Sequence, residues 1–308
     1  MKTLRFVLIA GAGLRSFVIC AALGLLPGFV GGQFAALRVD LKLSADIEER
    51  IRRSGADVAV AFRTLDGHEG YFLHDEVSFH AASTMKIPVM IELFHEARLG
   101  KLKLDDVLLV NNEFHSLVDG SIYTLNAADD SETDLYKAAG QTRTLRQLCE
   151  LMITASSNLA TNLLIEKLGV ENIRAAVHSL HADGMNVLRG VEDGKAFEKG
   201  LNNTTTARGL LLLMEAIAHR EAVDQEWSNQ MIEILERQKF NEGIPAGLPP
   251  GTRVAHKTGE ITKIHHDAAI VFAPKPFVLV ILVRGIADEK ESAGLIADIT
   301  RLIYKAVE

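Results

Sequence analysis

Residues 254–283 read "VAHKTGEITKIHHDAAIVFAPKPFVLVILV". The stretch holds three strand-like runs, near Val254–Lys257, Ala268–Phe272 and Phe277–Val283, with Ala273-Pro274-Lys275-Pro276 turning the last pair. Short turns favour antiparallel pairing. Two similar runs lie far upstream, near Asp57–Phe62 and Tyr71–Leu73, joined by Asp66-Gly67. Between the two sets, from Ser83 to about Phe240, the pattern is mostly helical. Ser44 is read as the cap of a helix running to about Arg53, with Ile47 and Ile51 on one side. A closing amphipathic helix carries Leu295, Ile299, Leu302 and Ile303. These two helices would cover one face of the sheet. The predicted fold class is α+β: a five-stranded antiparallel sheet flanked by helices, plus an all-helical layer. It is read as one unit over residues 37–308, with the sheet part at about 40–78 and 250–308 and the helical part at about 79–249. A ligand is expected in the cleft between the layers.

Within that frame, Lys257-Thr258-Gly259 closes the first of the three late runs. Lysine and threonine there suit a substrate carboxylate, and glycine lets the backbone approach closely. The N–H of Glu260 is a candidate oxyanion donor, paired with that of Ser83. Ser83 begins a second pattern, Ser83-Thr84-Met85-Lys86, which follows Phe79-His80-Ala81-Ala82 and opens a helical run through Met90, Phe94 and Ala97. Three residues apart on a helix means one face, so the Lys86 amine is placed to hydrogen-bond the Ser83 hydroxyl. A serine becomes a nucleophile when a base takes its proton, and a lysine serves if burial lowers its pKa. Pro88 removes a helical hydrogen bond unless it lies near the first turn. The third pattern is Ser156-Ser157-Asn158, a polar corner between two apolar helices. Thr144 and Gln147 have capping-box spacing at the start of the first helix, and Gly169 stops the second. The corner is either a plain helix cap or a proton relay (Ser156) beside an amide that orients substrate (Asn158).

Taken together, the order, spacing and placement of the three patterns resemble class A β-lactamases and the wider group of penicillin-recognising serine hydrolases. The resemblance extends from about Ser44 to the C-terminus. It is supported by Asn203-Thr204-Thr205-Thr206 before a helix and by Pro249-Pro250-Gly251 ahead of Lys257. It implies an antiparallel five-stranded sheet beside a helical layer. It also implies a carboxylate that activates the water cleaving the acyl-enzyme, in a Glu-x-x-Leu-Asn pattern. That pattern is missing from Leu188–Glu198, where Glu192 is the best candidate, with Asp193 and Glu198 behind it. Arg189 is read as pairing with loop backbone or with Asn203. Ser157 stands where the resemblance leads to aspartate. A segment from about Phe114 to Gln141, carrying Asp129, Asp130, Glu132 and Asp134, is longer than the resemblance implies.

The formal net charge of −7 argues against a nucleic-acid partner, which needs a basic face. Lys2 and Arg5 precede an apolar stretch from Phe6 to Val30, broken by Arg15 and Ser16 and followed by Gly31 and Gly32. Residues 1–32 are therefore read as an export signal, with an uncleaved anchor as the alternative, and the mature chain as periplasmic or secreted. Ile19 before Cys20 argues against lipidation. Cys149 then has no disulfide partner, and in the stripe Leu145, Leu148, Cys149, Met152 it reads as a buried small hydrophobe. In His265-His266-Asp267, neighbours on a strand point to opposite faces, so the triplet reads as structure and not as a metal site. No metal or organic cofactor is expected. With no heptad seam, a monomer without stable membrane contact is expected once the signal is cut.

The sequence thus points to lactam hydrolysis through a Ser83 acyl-enzyme. Lys86, Ser156 and Glu192 are the other catalytic candidates, and Asn158, Lys257, Thr258, Gly259 and Glu260 the substrate-binding ones. The substrate would be a small β-lactam or an acyl-D-Ala-like compound. The alternatives are a D-Ala-D-Ala carboxypeptidase or related serine esterase, and a non-catalytic binder of cell-wall peptides.

Overall fold

The computed structural model describes residues 41–308. The segment read as an export signal, 1–32, lies outside the described residues. Among those described, no helix is long and apolar enough to cross a membrane.

The five sheet strands are β1 (Asp57–Thr64), β2 (Gly70–Leu73), β3 (Arg253–Ile261), β4 (Ile264–Phe272) and β5 (Phe277–Arg284). They pair antiparallel throughout, in the order β2-β1-β5-β4-β3. The longer helices are α1 (Leu41–Ser54), α2 (Lys86–Arg98), α3 (Leu145–Thr154), α4 (Asn158–Leu168), α5 (Val170–Ser179), α6 (Ala207–Ala218), α7 (Gln225–Leu235) and α8 (Glu289–Val307). The class is α+β, with the five-stranded antiparallel sheet that the sequence predicts.

Strand β5 shows why the sheet sits between two layers. Val278, Val280 and Leu282 join the core shared with α2 and α6. Leu279, Ile281 and Val283 join the core shared with Ile47 of α1 and Leu295, Ile299 and Ile303 of α8. A strand covered on both faces reads as a continuous apolar run, because the alternation of a half-exposed strand is lost. Helix α2 is the helical counterpart: every residue from Lys86 to Phe94 is buried.

Three local readings change in the structure. Ser44 is not a cap, since α1 already begins at Leu41 and the Ser44 hydroxyl donates to Glu48 Oε1 at 2.9 Å from inside the helix. Lys257-Thr258-Gly259 lies inside β3 and not at its end, because β3 continues to Ile261 and turns tightly into β4. Lys263, at φ 59°, takes the left-handed conformation in that turn. The polar residues of an edge strand had hidden its length. Pro88 is the third residue of α2, within the first turn, where its missing N–H leaves no helical bond unmade.

Candidate active site

The first element of the site is a strained approach to Ser83. Ser83 lies in a 3₁₀ turn, Ala82–Met85, that leads directly into α2. Ala82, just before it, has φ 46°, a conformation that costs an L-residue roughly 1–2 kcal/mol. Two histidines hold the chain there. The Ala82 N–H donates to His80 Nδ1 at 3.0 Å. His266 Nδ1 accepts from the Val283 N–H at 3.2 Å, so its proton sits on Nε2, which donates to the His80 carbonyl at 2.9 Å. Burial pushes the His266 imidazole down to about 4, keeping it neutral in that role. His265, by contrast, meets Ser292 Oγ at 2.9 Å, and Asp267 meets His256 Nδ1 at 3.0 Å. The three adjacent residues thus serve separate partners. His256, the residue before Lys257, is thereby tied to Asp267.

Strand β3 runs against the Ser83 turn. A Cβ added to Gly259 would come within 3.0 Å of the Ser83 and Thr84 backbone nitrogens, so only glycine allows this approach. Next to it, Glu260 sits on the edge strand with its carboxyl pushed up to about 7 by partial burial and the nearby Glu289 carboxyl. Thr258 is buried and pairs in register with Asp267. Lys257 is fully buried, and its ammonium donates to the Thr258 carbonyl at 2.8 Å and to Ser156 Oγ at 3.0 Å.

Ser156 is where the three patterns meet. Its hydroxyl lies 3.0 Å from Lys257 Nζ and 3.3 Å from Lys86 Nζ. It too is in the left-handed region, at φ 57°. The two serines of the corner have different partners: Ser157 caps α4, accepting from the Ala160 N–H at 3.2 Å, while Ser156 faces the lysines.

Lys86 does not bond Ser83 as the helical spacing suggests. Its ammonium donates to the Ser156 carbonyl at 2.6 Å and to Asn158 Oδ1 at 2.9 Å, besides Ser156 Oγ. The corner offers three acceptors, which outweigh one hydroxyl a turn away. Burial lowers the Lys86 ammonium from its ordinary value to about 7, opposed by Asp130 and Glu192. Burial drives Lys257 well below its usual range too, helped by Lys86 and opposed by Asp267.

Glu192 is brought to the same place. Its Oε1 accepts from Asn158 Nδ2 at 2.8 Å, so Asn158 bridges Lys86 and Glu192. Partial burial raises the Glu192 carboxyl above the usual range, against hydrogen bonds from Asn158 and the Asn126 N–H. Glu192 has φ 60° and belongs to a loop with little regular structure. Side chains hold that loop. Asn162, one turn beyond Asn158 on α4, accepts from the Val191 N–H at 2.7 Å and donates to the Val191 carbonyl at 3.0 Å. Asp193 accepts from Ser116 Oγ at 2.9 Å and from the Leu117 N–H at 2.8 Å. Arg189 donates to the carbonyls of Leu201 and Gly190 at 2.8 Å and 2.9 Å, and its own backbone N–H and carbonyl pair with the Asn203 amide. Asn162 and Asp130 were not among the residues singled out as site candidates. The one signal for Asn162 was an asparagine amid the apolar run Leu159, Ala160, Leu163, Leu164. Cys149 is buried in the core and its thiol is pushed up by burial.

The sequence profile of the β-lactamase enzyme family matches residues 42–307, so the chain belongs to that family. It is 30% identical over 177 residues to a β-lactamase of Bacillus licheniformis, a match spanning 53% of this chain and 56% of that protein. The fold is similar to a crystal structure of a β-lactamase from Sphaerobacter thermophilus, with a TM-score of 0.75 and 26% identity over 87% of this chain and 98% of that one. It is equally similar to PBP-A, with a TM-score of 0.76 and 25% identity over 88% and 97% of the two chains.

Proposed function

We propose that this chain is a class A-type serine β-lactamase that opens the lactam amide through an acyl-enzyme on Ser83. One observation carries the reading: the Ser156 hydroxyl lies within hydrogen-bond reach of two fully buried lysines, one from each side of the cleft, next to the Ser83 turn. Neutral Lys86, which faces the Ser156–Asn158 corner in the structure, accepts the proton of Ser83 Oγ through a contact made as that oxygen attacks the lactam carbonyl. The backbone N–H groups of Ser83 and Glu260 receive the developing oxyanion. The carbon–nitrogen bond breaks as Ser156 Oγ hands its proton to the nitrogen and regains one from Lys86. A lysine with a pKa near ambient pH suits both directions of transfer. Lys257 and Thr258 hold the substrate carboxylate, and Asn158 orients its amide. Glu192 then takes a proton from water as hydroxide attacks the ester carbonyl, and the same proton passes from Glu192 to Ser83 Oγ as the acyl carbon–oxygen bond breaks, which restores both groups. The raised Glu192 carboxyl is the chemistry of a general base. Residues 1–32 are proposed as the export signal of a periplasmic or secreted protein.

The test is hydrolysis of a chromogenic cephalosporin, followed by intact mass of the protein. Multiple turnover with a transient adduct, lost in Ser83→Ala, is expected. A similar fold in PBP-A favours one second reading, since a PBP-A mutant has been solved as an acyl-enzyme complex with penicillin G. A stable adduct without turnover would select that reading, a penicillin-binding hydrolase of acyl-D-Ala substrates.

A further inference from the structure

The corner Ser156-Ser157-Asn158 carries no charge of its own, yet it must hold a strained serine and an asparagine that links Lys86 to Glu192. A carboxylate from elsewhere in the chain holds it. Asp130, in the segment between Phe114 and Gln141, has only 6% of its surface exposed. Its Oδ2 accepts from the Asn158 N–H at 2.8 Å and the Leu159 N–H at 3.0 Å. The same oxygen accepts from the Tyr136 hydroxyl at 3.0 Å and, at 3.4 Å, from Ser157 Oγ. Its Oδ1 accepts from the Glu132 N–H at 3.0 Å.

The first amides of a helix have no partner within it. In α4 they are shared out: Asn158 and Leu159 go to Asp130, and Ala160 goes to Ser157. An ordinary cap takes one such amide with the residue at the helix start. Here an anion 28 residues upstream takes two, and it sits at the positive end of the helix dipole. From this geometry we infer that Asp130 is a positioning residue of the active site, the charge that holds the Ser156–Asn158 corner and faces Lys86. The inference deepens the proposed reaction and rests on it for the word "active".

The charged groups around Lys86 make that second role specific. Asp130 and Glu192 oppose its burial, and Lys257, across Ser156 from it, is the neighbouring cation. Asp129 and Asp130 both bear on Glu192. Tyr136 is held protonated by burial and by Asp130, so it remains a donor to the carboxylate. Removing the Asp130 charge leaves Glu192 as the only one of the two opposing anions.

Asp130→Asn keeps the shape and removes the charge, and titrating Lys86 by NMR needs no substrate. The Lys86 pKa is expected to fall by roughly half a unit or more in Asp130→Asn. The rate of penicillin adduct formation should fall about tenfold, with its acid limb displaced to lower pH. The swap Asp130→Ser with Ser157→Asp returns a carboxylate to the corner and should restore the Lys86 pKa, which also serves if Asp130→Asn does not fold. A plain helix cap would lower the melting temperature and leave the Lys86 titration unmoved in either variant, and that result overturns the inference. Absence of any lactam adduct in the unaltered protein would overturn the proposed reaction and leave the titration result standing.

Discussion

Ser83 and Glu192 lie on the same site but are held in opposite ways. Ser83, Lys86 and Lys257 belong to a helix start and a strand, and both lysines are fully buried. Their positions follow from backbone ladders and packed layers. Glu192 sits on a loop whose shape is set by Asn162 reaching in from α4 and by the loop's own Arg189 and Asp193 bonding to segments beside it. The half proposed to form the acyl-enzyme is therefore built from secondary structure. The half proposed to hydrolyse it is built from individual side-chain hydrogen bonds, each worth about 1 kcal/mol net. The second half can therefore be altered without unfolding the first.

The largest effect expected from this contrast is in the first half. Lys86→Met should slow adduct formation by roughly 10²–10⁴-fold, the usual worth of a positioned base. Because the amine must be neutral to accept a proton, the unaltered rate should rise with pH through about 7. The same shift predicts a stability effect. The folded chain binds fewer protons than the unfolded one between about 7 and the ordinary lysine value, so the penalty of burying Lys86 is fully present below that window and fades as pH rises through it. Thermal melts at pH 6 and pH 10 should show Lys86→Met more stabilised, relative to the unaltered protein, at pH 6. A uniform shift would contradict this.

Glu192→Gln should separate the halves cleanly. Adduct formation is expected to change little, while release of the adduct slows by roughly 10²-fold or more, so the acylated protein accumulates on the intact-mass timescale. Equal slowing of both steps would mean that Glu192 also serves Ser83.

A smaller effect is expected one layer out. Asn162→Ala removes both hydrogen bonds to Val191 and should slow release about tenfold with adduct formation kept. Gly190→Ala tests the same clamp from the other side, since its new Cβ would come within 2.6 Å of Asn162 Oδ1. If either variant slows only adduct formation, the loop is not an independent half.

The smallest effect lies at the strand edge. The Glu260 carboxyl titrates near 7 in the folded chain, above its ordinary value, so the folded chain binds the extra proton between those limits. Stability attributable to this group falls as pH rises through that window, and the penalty is fully present above it. Glu260→Gln should raise the melting temperature slightly at pH 8 and leave it unchanged at pH 4. The reverse pattern would show that Glu289 does not share the site.

The same contrast explains what could be read in advance. Ser83, Lys86, Lys257 and the Ser156 corner occupy fixed offsets on regular elements, and short-range periodicity reports such offsets directly. The strands were legible because β5 is apolar on both faces and its neighbours are joined by short turns. The full length of β3 was not, since an edge strand tolerates polar residues that read as a turn. Of the two partners the sequence left open for Arg189, loop backbone or Asn203, the guanidinium takes the loop carbonyls, and Asn203 pairs with the Arg189 backbone. Asn162 and Asp130 were missed because each acts on residues 28 or 29 positions away through a contact that no local pattern encodes.

The amino-acid sequence alone carried the sheet-and-helix architecture, the buried stripe around Cys149 and the candidates for the reacting groups. Periodicity, turn chemistry and residue type are local properties, written within a few positions of each other. Only the tertiary structure decided that Lys86 turns to the Ser156–Asn158 corner and not to Ser83, that Glu192 meets Asn158, and that Asp130 holds the start of α4. Those outcomes depend on which acceptors are left unpaired once the layers have packed, and burial then sets the charge state of the two lysines.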